Sequence, residues 1–149
     1  MCVQSFIIHP MASPVLFSII ESPAHRDFSA LYRRLGIEEL KLGSMRKAIS
    51  ALKKQAPDTV VAEFMYGYGN NYAGVNISNL DEFLYSLQKY SRNTRIIVMV
   101  ERRELQHVDK LAALFPLHAV LPMPVSEQDL ERALASCVDN KLMNGNSGD

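Results

Sequence analysis

The chain of 149 residues has no tryptophan and only two cysteines, Cys2 and Cys137. They stand at opposite ends and form no motif, which excludes a disulfide framework and suits a reducing cytosol. Neither sign of charge is in excess: 16 Lys and Arg balance 16 Asp and Glu. No global field therefore draws the chain toward nucleic acid or an anionic membrane. No apolar run approaches the ~20 residues of a membrane helix. The run Phe6 to Ile8 is too short for a signal peptide and has no basic stretch before it. A cytoplasmic protein is the expectation. His9, His25, His107 and His118 share no ligand spacing, so no metal site is expected. No Ser-His-Asp or Cys-His group can be assembled, and no catalytic residue or cofactor is expected.

Ordinary globular chemistry is present. Apolar residues make up 48% and charged residues 21%, enough for one domain with a core of its own. From residue 15 short apolar runs alternate with helical periods. "VLFSII" (15–20) reads as a strand. Phe28, Leu31, Tyr32 and Leu35 then mark one helix face, closed by Gly36. "EELKL" is a weaker strand, and Met45, Ala48, Ile49 and Leu52 line a second helix. Pro57-Asp58 opens "TVVAEF". Ser78 and Asp81 form a capping box before Leu80, Phe83, Leu84 and Leu87. "RIIVMV" (95–100) is the clearest strand. Leu105, Val108, Ala112 and Phe115 predict a fourth helix, "HAVLP" a fifth strand, and Leu130, Ala133, Leu134 and Cys137 the last helix. Strand-helix pairs with short links predict right-handed crossovers and a parallel sheet covered on both faces. The expected organisation is an extension over 1–14, one α/β domain over 15–138 and a flexible tail over 139–149.

"AISALKKQAPDTVVAEF", "TRIIVMVERRE" and "AVLPMPVSEQDLERAL" together resemble the receiver domain of bacterial response regulators. A lysine-rich helix end precedes Pro-Asp and a strand ending in an acidic residue. A Pro-Met-Pro turn precedes a Ser-x-x-Asp helix start. The resemblance spans about Val15 to Cys137. It implies a doubly wound, flavodoxin-like (βα)5 domain with a central five-stranded parallel sheet.

Receivers are switched by phosphorylation of an aspartate that ends the third strand. An acidic pair after the first strand holds Mg²⁺, a Thr or Ser after the fourth contacts the phosphoryl group, and a Lys before the last proline neutralises it. Carried over, the phosphoacceptor position is Glu63. Of the acidic pair only Glu21 remains, with Ile20 beside it. Val100 stands for the hydroxyl and Met123 for the lysine, while Pro124 keeps the turn, through a cis bond by the resemblance. Val120 replaces the aromatic that relays the switch. These departures predict that phosphotransfer is lost. Glu63 then reads as a fixed negative charge imitating the activated state, or as a solvated carboxylate at the strand end.

"MYGYGNNYAGVNIS" is longer than the matching receiver segment by about half a dozen residues. Tyr66, Tyr68 and Tyr72 interleave with glycines, Asn70 and Asn71, a composition suited to a contact surface or to a plain exposed loop. "ERRE" (101–104) reads as a helix start on a solvated face, with Arg102 or Arg103 as an alternative partner for the carboxylates. Two functions remain open. One is a phosphorylation-independent signalling or scaffold module that binds a protein partner, or a second copy, through its fourth and fifth helices. The other is a small flavodoxin-like domain that binds a ligand or nucleotide with the 66–77 loop.

Overall fold

A computed structural model describes residues 13–22, 26–66 and 78–135. Most of the expected extension 1–14, all but Tyr66 of the 66–77 loop, and the whole expected tail 139–149, with Cys137, lie outside the described residues. Five parallel strands form one sheet in the order β2-β1-β3-β4-β5: β1 Val15–Ile19, β2 Glu38–Lys41, β3 Thr59–Glu63, β4 Arg95–Val100 and β5 Ala119–Pro122. The helices between them are α1 Ser29–Arg34, α2 Met45–Lys54, α3 Asp81–Tyr90 and α4 Leu105–Ala112, followed by α5 over 127–135. This is the parallel sheet covered on both faces that the alternating pattern predicts, in the doubly wound, flavodoxin-like (βα)5 arrangement that the resemblance implies.

The apolar runs explain which strands are central. β1, β3 and β4 are apolar at nearly every position because helices cover both of their faces. Phe17, Val60, Ala62 and Val98 face a core closed by Leu52 of α2, Phe83 and Leu87 of α3 and Val108 of α4. Leu16, Val61, Ile97 and Met99 face the other core, against Leu31 and Tyr32 of α1 and Leu130 and Leu134 of α5. The weak strand β2 is an edge strand, with Glu38, Leu40 and Lys41 exposed. Charge at an edge of this kind discourages pairing with another chain. β5 forms the opposite edge and is half-buried throughout.

Local chemistry sets the helix ends. Gly36 at φ 74° supplies the left-handed turn after α1. The Ser44 side chain accepts a bond from the Lys47 N–H and caps α2. The Ser78-Asp81 box forms: Asp81 Oδ1 accepts the Ser78 N–H at 2.8 Å, and Ser78 Oγ accepts the Leu80 N–H at 3.1 Å. One helix assignment needs correcting. Ala112 is exposed and ends α4, whereas Leu111 occupies the inward position, and a turn carries the chain to the buried Phe115.

Asp27 organises the exposed start of α1. Its Oδ1 accepts the Ser29 N–H at 2.9 Å, and its Oδ2 pairs with Lys41 Nζ at 3.4 Å. The Ser29 hydroxyl and N–H, then Lys41, hold its carboxyl down at about 2, from an ordinary 3.8. A depressed folded-state value means stabilisation that is complete above the ordinary value and is lost as pH falls through about 2. An NMR titration should therefore place the Asp27 midpoint below those of free carboxylates, and Asp27→Asn should remove that part of the acid limb.

Candidate functional site

The carboxyl edge of the sheet gathers the ends of β1, β3, β4 and β5. Side chains alternate along β3, with Val60, Ala62 and Phe64 in one core and Val61 in the other. Glu63 therefore projects on the face of Val61, toward the segment that follows β1. It is only 5% exposed, so it is not a solvated strand end. Its Oε1 accepts the backbone N–H groups of Glu21 and Ser22, both at 3.1 Å. A carboxylate in a strand is thus used to hold the first turn after β1. Packing alone gives no reason for an acid here, but two amides needing an acceptor do.

The other receiver-like positions are distributed unequally. Glu21 is brought to Glu63, through its backbone, and is half-buried. The Met123–Pro124 bond is cis, in agreement with the resemblance. The Met123 N–H donates to the Val100 carbonyl at 2.8 Å, which brings those two residues together at the ends of β5 and β4. Val100, carried over to the hydroxyl position, does not face Glu63. Its side chain is fully buried with Val98 and Ala62 in the core opposite to Glu63. Strand periodicity is two, so the next residue, Glu101, lies on the face of Glu63. Glu101 is exposed and binds Arg103 Nε at 2.8 Å. That pair also answers the alternative for the "ERRE" run: Arg103 pairs with its near neighbour, not with Glu63 or Glu21. Met123 is half-buried against the second core and offers no charge.

Beyond Glu63 the chain is clamped by a residue that sequence reasoning missed. Asn79, 8% exposed, donates from Nδ2 to the Glu63 carbonyl at 2.8 Å and accepts the Met65 N–H on Oδ1 at 2.7 Å. Its own N–H donates to the Met65 carbonyl at 3.1 Å. Tyr66 and Ser78 form an antiparallel bridge beside it. Both ends of the tyrosine-glycine segment are therefore fastened, and an Asn two residues before a helix is the only signal that pointed there. Tyr66 is exposed, stacks on His107 with ring centroids 3.6 Å apart, and donates its N–H to Glu104 at 3.2 Å. Tyr68, Asn70, Asn71 and Tyr72 lie outside the described residues.

Mg²⁺ wants several oxygens in a tight octahedron. Here the candidate donors are Glu63, whose Oε1 is occupied by two amides, and Glu21, with apolar Ile20 next to it. This donor set does not fit the ion. Among the described residues, no three His, Cys, Asp or Glu converge on a possible metal position. Nor is any helix among them long and apolar enough to cross a membrane.

No family model and no curated protein matches the chain. Many solved structures do. A response regulator receiver domain from Clostridium thermocellum aligns over 87% of this chain and 97% of its own, with a TM-score of 0.66 and 20% identity. The receiver domain of a Pseudomonas aeruginosa sensor histidine kinase, solved with magnesium in its active-site cleft, covers 86% and 99%, with a TM-score of 0.63 and 18% identity. A chemotaxis response regulator of Vibrio cholerae covers 85% and 99%, with a TM-score of 0.64 and 14% identity. At such identities the likeness establishes the fold.

Proposed function

We propose, from the receiver fold of this chain, that it is a phosphorylation-independent signalling or scaffold module that works by binding another protein. One observation carries this reading. Glu63, at the position of the phosphoacceptor, spends its carboxylate on the Glu21 and Ser22 amides. In a receiver the segment after the first strand helps build the metal site. Here it is tied down by the side chain that would have to react. The apolar Met123 and the outward Glu101 supply neither a cation nor a hydroxyl to a phosphoryl group, which supports the same reading. A single carboxylate also falls short of a phosphate, which brings roughly two charges and three acceptor oxygens. The domain is accordingly read as having one state, with Glu63 as a permanent latch.

Incubation with acetyl phosphate and Mg²⁺ followed by intact-mass spectrometry should give no adduct. A gain of one phosphoryl group that maps to Glu63 and is released by alkali and by hydroxylamine would overturn the proposal.

The partner surface is proposed on α4 and α5, together with the β5 edge between them. Leu114, in the turn after α4, is 48% exposed, and β5 is half-buried along its length. A specific interface would bury about 1,600 Å² in total. Leu114→Glu combined with Arg132→Glu should abolish partner capture, or dimerisation seen by light scattering, without lowering the melting temperature. Unchanged association in the double variant sinks this assignment.

A further inference from the structure

Beneath α1, on the side of the sheet that carries β2, lies a cavity of about 270 Å³. It adjoins the Glu63 latch through Ile20, Val61 and Met99, but Glu63 itself does not line it, and nothing in the signalling proposal uses it. Its floor is apolar, formed by Ile20, Val61 and Met99. Its rim carries two cations and two anions, Arg26 and Lys41 with Asp27 and Glu39. Lys41 Nζ stands 3.4 Å from Asp27 Oδ2, and Glu39 Oε1 accepts the Ser29 hydroxyl at 2.6 Å. On the wall between floor and rim is Tyr32, 2% exposed.

The tyrosine is the unusual element. A buried phenol normally has a hydrogen-bond partner. The Tyr32 hydroxyl has none among the described residues, although its ring is packed into the second core. Burial, then the negative charge of Glu39 and Asp27, pushes its ionisation up. Both carboxylates belong to the cavity rim, and Tyr32 itself lines the cavity. A donor without an acceptor among the described residues, on the wall of a space lined by opposite charges above an apolar floor, suits a ligand that supplies the acceptor.

We propose that this cavity binds a small zwitterion with an apolar body, of the size and chemistry of a free apolar or aromatic α-amino acid. The ammonium group is met by Asp27 and Glu39, the carboxylate by Lys41 and Arg26, and the side chain by Ile20, Val61 and Met99. A simple anion would meet two carboxylates, and a simple cation two positive groups, so a molecule carrying both charges matches the rim best. The volume lies at the small end of ligand pockets and suits one such molecule. Because the rim charges are exposed to water, affinity should be modest, with a Kd on the order of 0.1–1 mM.

The test is a ¹⁵N-resolved NMR titration of the full chain with L-leucine, L-phenylalanine, glycine, N-acetyl-leucine and leucine methyl ester. Leucine and phenylalanine should give saturable shifts at Ser18, Tyr32 and Lys41. Glycine, which lacks the apolar body, and the two blocked forms, which each lack one charge, should bind at least about tenfold more weakly. Tyr32→Phe removes a hydroxyl that has no partner among the described residues, so the melting temperature should hold or rise while affinity falls about five- to tenfold. Lys41→Met should weaken leucine but leave the methyl ester unchanged. The proposal is overturned if no probe saturates by about 10 mM, or if the blocked forms bind as well as leucine. It is equally overturned if Tyr32→Phe lowers stability and spares affinity. None of these results depends on whether Glu63 accepts a phosphoryl group.

Discussion

Glu63→Ala should destabilise the domain by about 1–3 kcal/mol, because it strips an acceptor from two backbone N–H groups at once. The lower part of that range applies if water reaches the Glu21 and Ser22 amides, which are half-buried, and the upper part if it does not. Glu63→Gln keeps an oxygen at the end of a side chain of equal length and should recover most of the loss. Glu63→Asp is the more instructive change. It restores the residue type of the receiver family, yet the shorter side chain withdraws its oxygen from both amides. We expect it to be less stable than the glutamine variant and still inert to phosphodonor. Urea denaturation gives the free energies, and amide exchange at Glu21 and Ser22 locates them. If Gln is as harmful as Ala and exchange at those amides is unaltered, Glu63 is not a latch.

Asn79→Ala should cost about 2–4 kcal/mol, the larger effect of the two. The substitution leaves a buried carbonyl at Glu63 and the Met65 N–H without partners, and each such group is worth about 1–3 kcal/mol. Asn79→Asp keeps the acceptor for Met65 but turns the donor into a second oxygen facing the Glu63 carbonyl. It should therefore remain destabilising, with little recovery over Ala. Beyond stability, Asn79→Ala should loosen the Tyr66–Ser78 bridge and with it the Tyr66–His107 stack. Increased proteolytic cutting between residues 66 and 78, at urea concentrations where the rest stays folded, would report that change. A loss below about 0.5 kcal/mol, the size of an ordinary surface substitution, would contradict the clamp.

The architecture could be read from the chain because its signals are local and periodic. Near-continuous apolar runs at Val15–Ile19, Thr59–Glu63 and Arg95–Val100 require cover on both faces, which only helices before and after them can provide. The helix faces Leu31-Tyr32 and Phe83-Leu84-Leu87 follow from the same logic, with a period of 3.6 in place of 2. Even the edge position of β2 shows in its charges. The site is different. Glu63 and the amides it holds are separated by 42 and 41 residues, and no local pattern encodes that meeting. The face of Val100 is hidden for a related reason: one residue of slip along β4 turns a side chain to the other face, and only the register Glu63↔Met99 fixes which residue stands beside the acid. Asn79 and Tyr32 are likewise ordinary in the sequence. Each becomes distinctive through what surrounds it, a carbonyl and an amide within reach of one, and a cavity without an acceptor for the other. Periodic burial is a property of segments, so the sequence by itself determined the layers and their order of appearance. Hydrogen-bond partnership is a property of distance, so only the tertiary structure decided which polar groups work together.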